Sequence, residues 1–273
     1  MVFMHLVGQW YSRWFMTPAP NAAERVRREL SRLRVQMGIT RSLGGSGVQD
    51  FLKDIHREDL SALFPARSRS LKRQIDGFVQ ILDTLALEQQ KVCWIEKSPI
   101  HVAYIDIIER YIQPVQFIHI VRNGPDVVAS LIDASRKYPD SFWADQYGSI
   151  DTCIALWKRA VTLTQENLHK PNHILVTYER LVEDTPAVLK DLCAFLGREF
   201  DPGMLEGYSS AAERVILGKE GWKASTFNSI RNFNTKFYEV FDAREQQYIL
   251  DQLEDVHLEE SKPPAIEAVA PAR

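Results

Sequence analysis

The sequence predicts an α/β fold of three layers, a parallel sheet flanked by helices. Three short apolar runs, Val92–Ile95, Phe117–Val121 and His173–Thr177, have the length and β-branched content of buried strands. Segments with helical periodicity separate them, long enough to carry parallel crossovers. Each run also ends in a polar cluster: Glu96 with Lys97, Arg122, and Tyr178 with Glu179. Open α/β sheets bind ligands outside the carboxyl ends of their strands. One composite site at that edge is therefore expected.

The elements follow in chain order. Thr17-Pro18-Ala19-Pro20 breaks the chain, and Asn21 is placed to cap a helix from Ala22 to about Met37. That helix carries Arg25, Arg27, Arg28, Arg32 and Arg34, with Val26, Leu30, Leu33 and Met37 at helical spacing. A solvated basic face is the ordinary reading of such a pattern. The glycine-rich stretch 38–47 follows a helix rather than a strand and has no lysine after its glycines. It reads as a connector, not a phosphate loop. One or two short helices are expected over Val48–Phe64. A stronger one spans Ser70–Gln90, with Leu71, Ile75, Phe78, Val79, Leu82 and Leu85 on one face. After the first strand, Pro99 opens a helix through Tyr111. After the second, a helix runs to about Lys137 and another covers Asp145–Leu168. The third strand leads into a helix begun by Thr185-Pro186 and closed by Gly197, and Asp242–Leu253 forms the last.

Residues 1–260 read as a single domain: 1–90 mostly helical, 91–200 the βαβ core and 201–260 less regular. Residues 261–273, rich in Pro and Ala, read as a disordered tail. No internal repeat is visible.

Composition narrows the class. Across 273 residues, 45% hydrophobic and 25% charged content is ordinary for a soluble globular chain. A formal charge of −3 gives no global attraction to nucleic acid or to an anionic membrane, so any anion site must be local. Cys93, Cys153 and Cys193 are widely spaced, with no paired-cysteine motif and no His/Cys ligand cluster. That argues against zinc and a disulfide framework, and fits a reducing, cytoplasmic compartment. The three cysteines are expected to pack as small apolar residues. No apolar run is long enough to span a membrane, and the aromatic N-terminus lacks the plan of a signal peptide.

The most informative stretch is Gln116–Ser130. A buried strand delivers Arg122 to its end, Asn123-Gly124 turns the chain, and Pro125 and Asp126 suit the first turn of the next helix. A guanidinium beside a helix N-terminus, with the Ser130 hydroxyl on that helix, suits a phosphate. The rival reading of Arg122 is a surface ion pair. His119 alternates into the strand interior and is expected to be a hydrogen-bonded core histidine.

Taken together, these motifs resemble the sulfotransferase family that uses PAPS (3′-phosphoadenosine 5′-phosphosulfate), its bacterial members in particular. FIHIVRNGPDVVAS is similar to the family's 3′-phosphate motif, whose Arg and Ser correspond to Arg122 and Ser130. WIEKSP resembles a motif of the heparan sulfate enzymes, in which a Glu is the general base and a Lys lies near the transferred group. Those correspond to Glu96 and Lys97. VTYERLVEDTPAVLKDLCAFLG resembles a block whose Tyr, here Tyr178, borders adenine. GKEGWK is a looser match to the loop that covers the nucleotide, implicating Lys219, Gly221 and Trp222.

The resemblance implies a P-loop-like sulfotransferase fold and PAPS as co-substrate. It implies no metal, and a small-molecule, glycan or lipid acceptor bearing a hydroxyl or amine. The family's opening strand and 5′-phosphosulfate loop have no counterpart in the sequence. The expectation is a chain truncated at its N-terminus or naturally without that loop. A PAP-binding pseudoenzyme is the alternative this raises; a nucleotide-kinase-like transferase is a third, disfavoured by the lack of a Walker lysine. At the bond that breaks, Glu96 is the expected base, against the bland reading of an ion pair with Lys97. His101, five residues on, is the rival base.

Overall fold

A computed structural model describes residues 6–7, 16, 19, 21–41, 46–140, 144, 147–207 and 236–256. The chain is α/β, and among the described residues it is mostly helical with a small parallel sheet. It divides into two compact units, Met1–Val115 and Gln116–Arg273.

The N-terminal unit is helical among its described residues. Helix α1 spans Ala22–Gln36 and is capped as the sequence implies: Asn21 Oδ1 accepts from the Glu24 N–H at 2.9 Å. Its orientation is less expected. Arg28, Ser31 and Val35 are buried, whereas Val26, Leu30, Leu33 and Met37 are exposed. Arg28 can be buried because Glu24, one turn earlier, accepts from its Nε at 3.0 Å. Helix α2 (Ser46–Asp54) and a 3₁₀ turn (Glu58–Leu63) precede α3, Leu71–Glu88. Ser70 caps α3, and Leu71, Ile75, Phe78, Ile81 and Leu82 form its buried stripe. Phe51 of α2 meets Phe78 edge-on, with ring centroids 5.9 Å apart. A second 3₁₀ turn, Pro99–Tyr104, runs directly into α4, Ile105–Tyr111. The expected helix from residue 99 thus begins as a tighter turn.

Between α3 and that turn the sequence reading fails. Val92–Ile95 is no strand; it has no ladder partner among the described residues, and Val92 and Ile95 are 77% and 79% exposed. Four apolar residues meet the composition of a strand, but a strand exists only when a neighbour takes its N–H and C=O groups. The same exposure overturns the expectation for Cys93, which is exposed; Cys153 and Cys193 are buried as expected.

In the C-terminal unit, β1 (Phe117–Val121) and β2 (His173–Thr177) pair in parallel, Phe117 opposite His173 and Val121 opposite Thr177. Helices α5 (Gly124–Lys137) and α6 (Ile150–Asn167) form the crossover between them. Helices α7 (Tyr178–Glu183), α8 (Thr185–Phe195) and the short α9 (Gly203–Glu206) follow β2. Helices α10 (Lys236–Val240) and α11 (Ala243–Leu253) complete the unit. Asp242 caps α11 in a reciprocal box with Glu245.

The core is shared by four helices: Val128, Ala129 and Ile132 of α5; Cys153, Ile154, Trp157 and Val161 of α6; Phe237 of α10; and Ile249 and Leu253 of α11. Val121 of β1 packs against it. Truncating one of these large side chains to Ala should cost about 2–5 kcal/mol. His119 is the buried core histidine the alternation implies. It is bonded to Thr164 Oγ1 of α6 at 3.1 Å and to His173 Nδ1 of β2 at 2.8 Å.

Candidate functional site

Register places the first group of residues. Val121 and Thr177 are the last paired positions of β1 and β2, so the next residues of the two strands, Arg122 and Tyr178, emerge side by side. The Arg122 guanidinium lies over the Tyr178 ring, 4.8 Å from its centroid, a cation–π contact. Arg122 Nη2 also reaches Asp126 Oδ2 at 3.0 Å, one turn into α5. The structure thus joins two of the three strand ends that the sequence singled out.

A hydrogen-bonded frame holds the arginine. Asn123 is the N-cap of α5, its Oδ1 accepting from the Asp126 N–H at 3.0 Å. Its Nδ2 donates to Asp126 Oδ2 at 2.9 Å and to Glu179 Oε1 at 2.8 Å. The Asn123 backbone N–H donates to the same Glu179 oxygen at 3.0 Å. On the other side, Trp157 Nε1 donates to the Arg122 carbonyl at 3.0 Å. Asp126 is 3% exposed, and a buried carboxylate is tolerable only when paired and hydrogen-bonded.

Gly124 lets the helix start this close. A Cβ there would stand 2.7 Å from Leu253 Cδ1 and 3.2 Å from the Trp157 ring. The result is a pre-oriented, partly exposed guanidinium at the N-terminus of a 14-residue helix. That is the chemistry of anion recognition.

Sequence reasoning missed part of this frame. It read Asn123-Gly124 as a turn, not Asn123 as a cap, and it gave Trp157 no role. The cap was legible in principle, since Asn123 and Asp126 have the three-residue spacing of reciprocal capping. Trp157 was not, because its contact depends on how α6 lies against β1.

Ser130 sits on α5, two turns beyond Arg122, and is half-buried. Lys219, Gly221 and Trp222 lie outside the described residues.

Glu96 and Lys97 belong to the N-terminal unit. They lie in the irregular segment before the second 3₁₀ turn, tied down two residues earlier where Trp94 Nε1 donates to Asp83 Oδ1 of α3 at 2.8 Å. Lys97 is exposed. The close contact of Glu96 is not the ion pair with Lys97 that was the bland reading: its Oε2 lies 2.8 Å from His101 Nδ1. The side chains are 22% and 16% exposed. Burial pushes the His101 imidazole below its ordinary range, while the Glu96 carboxylate pulls it back up. The two residues read as rival bases are thus in direct contact.

Residues 11–202 match the model of the Sulfotransferase family. The chain is similar to a solved structure described as "Sulfotransferase Domain from the Curacin Biosynthetic Pathway". The identity is 20%, over 80% of this chain and 82% of that one, with a TM-score of 0.49. It is also similar to "Sulfotransferase Domain from the Synechococcus PCC 7002 Olefin Synthase", at 19% identity over 82% and 76% of the two chains, with a TM-score of 0.38. No curated protein matches. Among the described residues no helix is long and apolar enough to cross a membrane.

Proposed function

The chain belongs to the sulfotransferase family, and on that premise we propose that it moves a sulfuryl group from PAPS to a hydroxyl or amine acceptor. The observation that carries the nucleotide part is the Arg122 cluster. It presents a guanidinium held by Asp126, stacked on Tyr178 and set at a helix N-terminus. Arg122 grips the 3′-phosphate, with Ser130 adding a hydroxyl, and Tyr178 borders the adenine. Lys219, Gly221 and Trp222 cover the nucleotide. Exposed Cys93, free of any disulfide, fits a reducing cytoplasm.

The transfer is an in-line displacement. A bond forms between the acceptor oxygen or nitrogen and sulfur. The bond from sulfur to the bridging oxygen of the phosphosulfate breaks, and PAP leaves with the electron pair. Glu96 takes the acceptor's proton, and Lys97 stabilises charge on the oxygens around sulfur. Sulfuryl transfer, like phosphoryl transfer, asks the protein mainly for positioning and charge stabilisation.

Calorimetry with PAP tests the nucleotide part, and turnover of labelled PAPS against a panel of hydroxyl and amine acceptors tests the rest. Binding with turnover is the expected result. PAP binding without turnover on any acceptor identifies a nucleotide-binding relative that has lost the reaction. If Arg122→Ala leaves PAP affinity unchanged, the 3′-phosphate assignment is wrong.

A further inference from the structure

We propose that Glu179 is a positioning residue for Arg122 and so sets the preference for a nucleotide that carries a 3′-phosphate; this rests on the sulfotransferase reading above. The contact that carries it is a double hydrogen bond. Glu179 Oε1 accepts from the Asn123 backbone N–H at 3.0 Å and from Asn123 Nδ2 at 2.8 Å.

The sheet itself cannot aim Arg122. Its last rung is Val121 opposite Thr177. One residue later the strands part: β2 passes directly into α7 at Tyr178, whereas β1 leaves through Asn123 into α5 at Gly124. A residue past the end of a ladder has lost the inter-strand bonds that set its direction. Arg122 is such a residue. Across the gap, the Glu179 carboxylate supplies the acceptor that a further rung would have supplied, to a backbone N–H 56 positions earlier in the chain.

Asn123 carries the constraint onward. A side-chain amide has two N–H donors and one carbonyl acceptor. Here Nδ2 donates to Glu179 Oε1 and to Asp126 Oδ2, the latter at 2.9 Å, and Oδ1 accepts the Asp126 N–H at 3.0 Å. Turned over, the amide would set its carbonyl against two carboxylates and its NH₂ against an N–H, so Glu179 and Asp126 together fix one orientation. That orientation holds Asp126 Oδ2 where Arg122 Nη2 meets it at 3.0 Å. The links therefore run from Glu179 through Asn123 and Asp126 to Arg122, all of them short enough for good hydrogen bonds.

Charge makes Glu179 an indirect partner of the phosphate. Asp126 and Glu179 already place two carboxylates around one guanidinium, and a carboxylate beside a phosphate is repelled. What Glu179 contributes is an acceptor oxygen in the right place, not its charge. The amide oxygen of Gln, which has the same reach without the charge, can replace it.

Calorimetry on the full chain tests this by comparing PAP with adenosine 5′-phosphate, which is PAP without its 3′-phosphate. The readout is the ratio of the two affinities. A general loosening of the fold weakens both ligands and leaves the ratio unchanged, whereas a misaimed Arg122 weakens PAP alone. Glu179→Ala should lower the preference for PAP about tenfold, within the coupling range of one hydrogen-bond network. Glu179→Gln should recover most of that loss. Arg122→Ala should lower the preference at least as far as Glu179→Ala, and the double variant no further than Arg122→Ala alone, because Glu179 acts through Arg122.

Three results overturn the inference: a Glu179→Ala ratio within about twofold of wild type, a Glu179→Gln variant as poor as Glu179→Ala, or losses that simply multiply in the double variant. A wild type that binds PAP no better than adenosine 5′-phosphate is a separate outcome. It overturns the 3′-phosphate reading itself, and this inference with it.

Discussion

The strand-end cluster around Arg122 and the Glu96–His101 contact belong to different compact units and are held by different means. Arg122 is placed by a ladder. Parallel pairing brings two strand ends together, and Asn123, Asp126, Glu179 and Trp157 then fix the guanidinium through five hydrogen bonds and one ion pair. Glu96 has no ladder beneath it. It sits on an irregular segment pinned by Trp94, with its Oε2 2.8 Å from His101 Nδ1. The Arg122 guanidinium is thus built into regular structure, where redundancy protects its position. Single substitutions should expose that difference.

Glu96→Gln is expected to have the largest effect: a fall in kcat of about 10²–10⁴-fold, the range for losing a general base, with PAP affinity unchanged in calorimetry. A matching fall in PAP affinity would mean that the two sites are not separate in function.

Acid should act next most strongly, through the strand–helix packing of the C-terminal unit. Burial, with smaller contributions from His173 and Lys170, pushes His119 down to about 4 from an ordinary value near 6.5. The unfolded chain therefore takes up a proton between about pH 6.5 and 4 that the folded chain refuses. Stability is full above 6.5 and falls across that window, by roughly 3 kcal/mol at 1.36 kcal/mol per unit. Urea unfolding at pH 7.5 and pH 5 should show the decline, and His119→Gln should flatten it.

Arg122→Ala should weaken PAP binding by about 1.5–3 kcal/mol, roughly 10- to 150-fold, the value of hydrogen bonds to a charged group. Unlike Glu96→Gln it should also lower stability, because Asp126 is left buried without its cation. Unchanged unfolding midpoints would show that the frame around Asp126 stands without the arginine. Gly124→Ala should be mildest, about 1 kcal/mol. Its Cβ meets the flexible end of Leu253 and the rigid Trp157 ring at the helix start, and a loss measured in PAP affinity rather than in stability would mean that the helix start itself touches the ligand.

Much of this was legible in sequence, and the exceptions have a common cause. Phe117–Val121 and His173–Thr177 are strands as read, although in β1 only His119 is buried and Ile120 is 59% exposed, and Asn21 caps its helix as read. Each is local: the cap, the first turn and the alternation lie within a few residues of one another. Val92–Ile95 had the composition of a strand without the partner that makes one. On α1 the arginine pattern implied a solvated basic face, yet Arg28 went inside with Glu24 while Leu30 and Met37 stayed out. For the site, Arg122, Tyr178 and Glu179 were named from strand ends, but their mutual contacts were not.

By itself the sequence determined the family, the two strands and their helices, because these depend on motif and on short-range periodicity. The tertiary structure decided which strand ends meet, which arginine is buried, and that Glu96 faces His101 rather than Lys97. Those outcomes depend on pairing, register and burial between segments far apart in the chain, and a linear pattern carries no record of them.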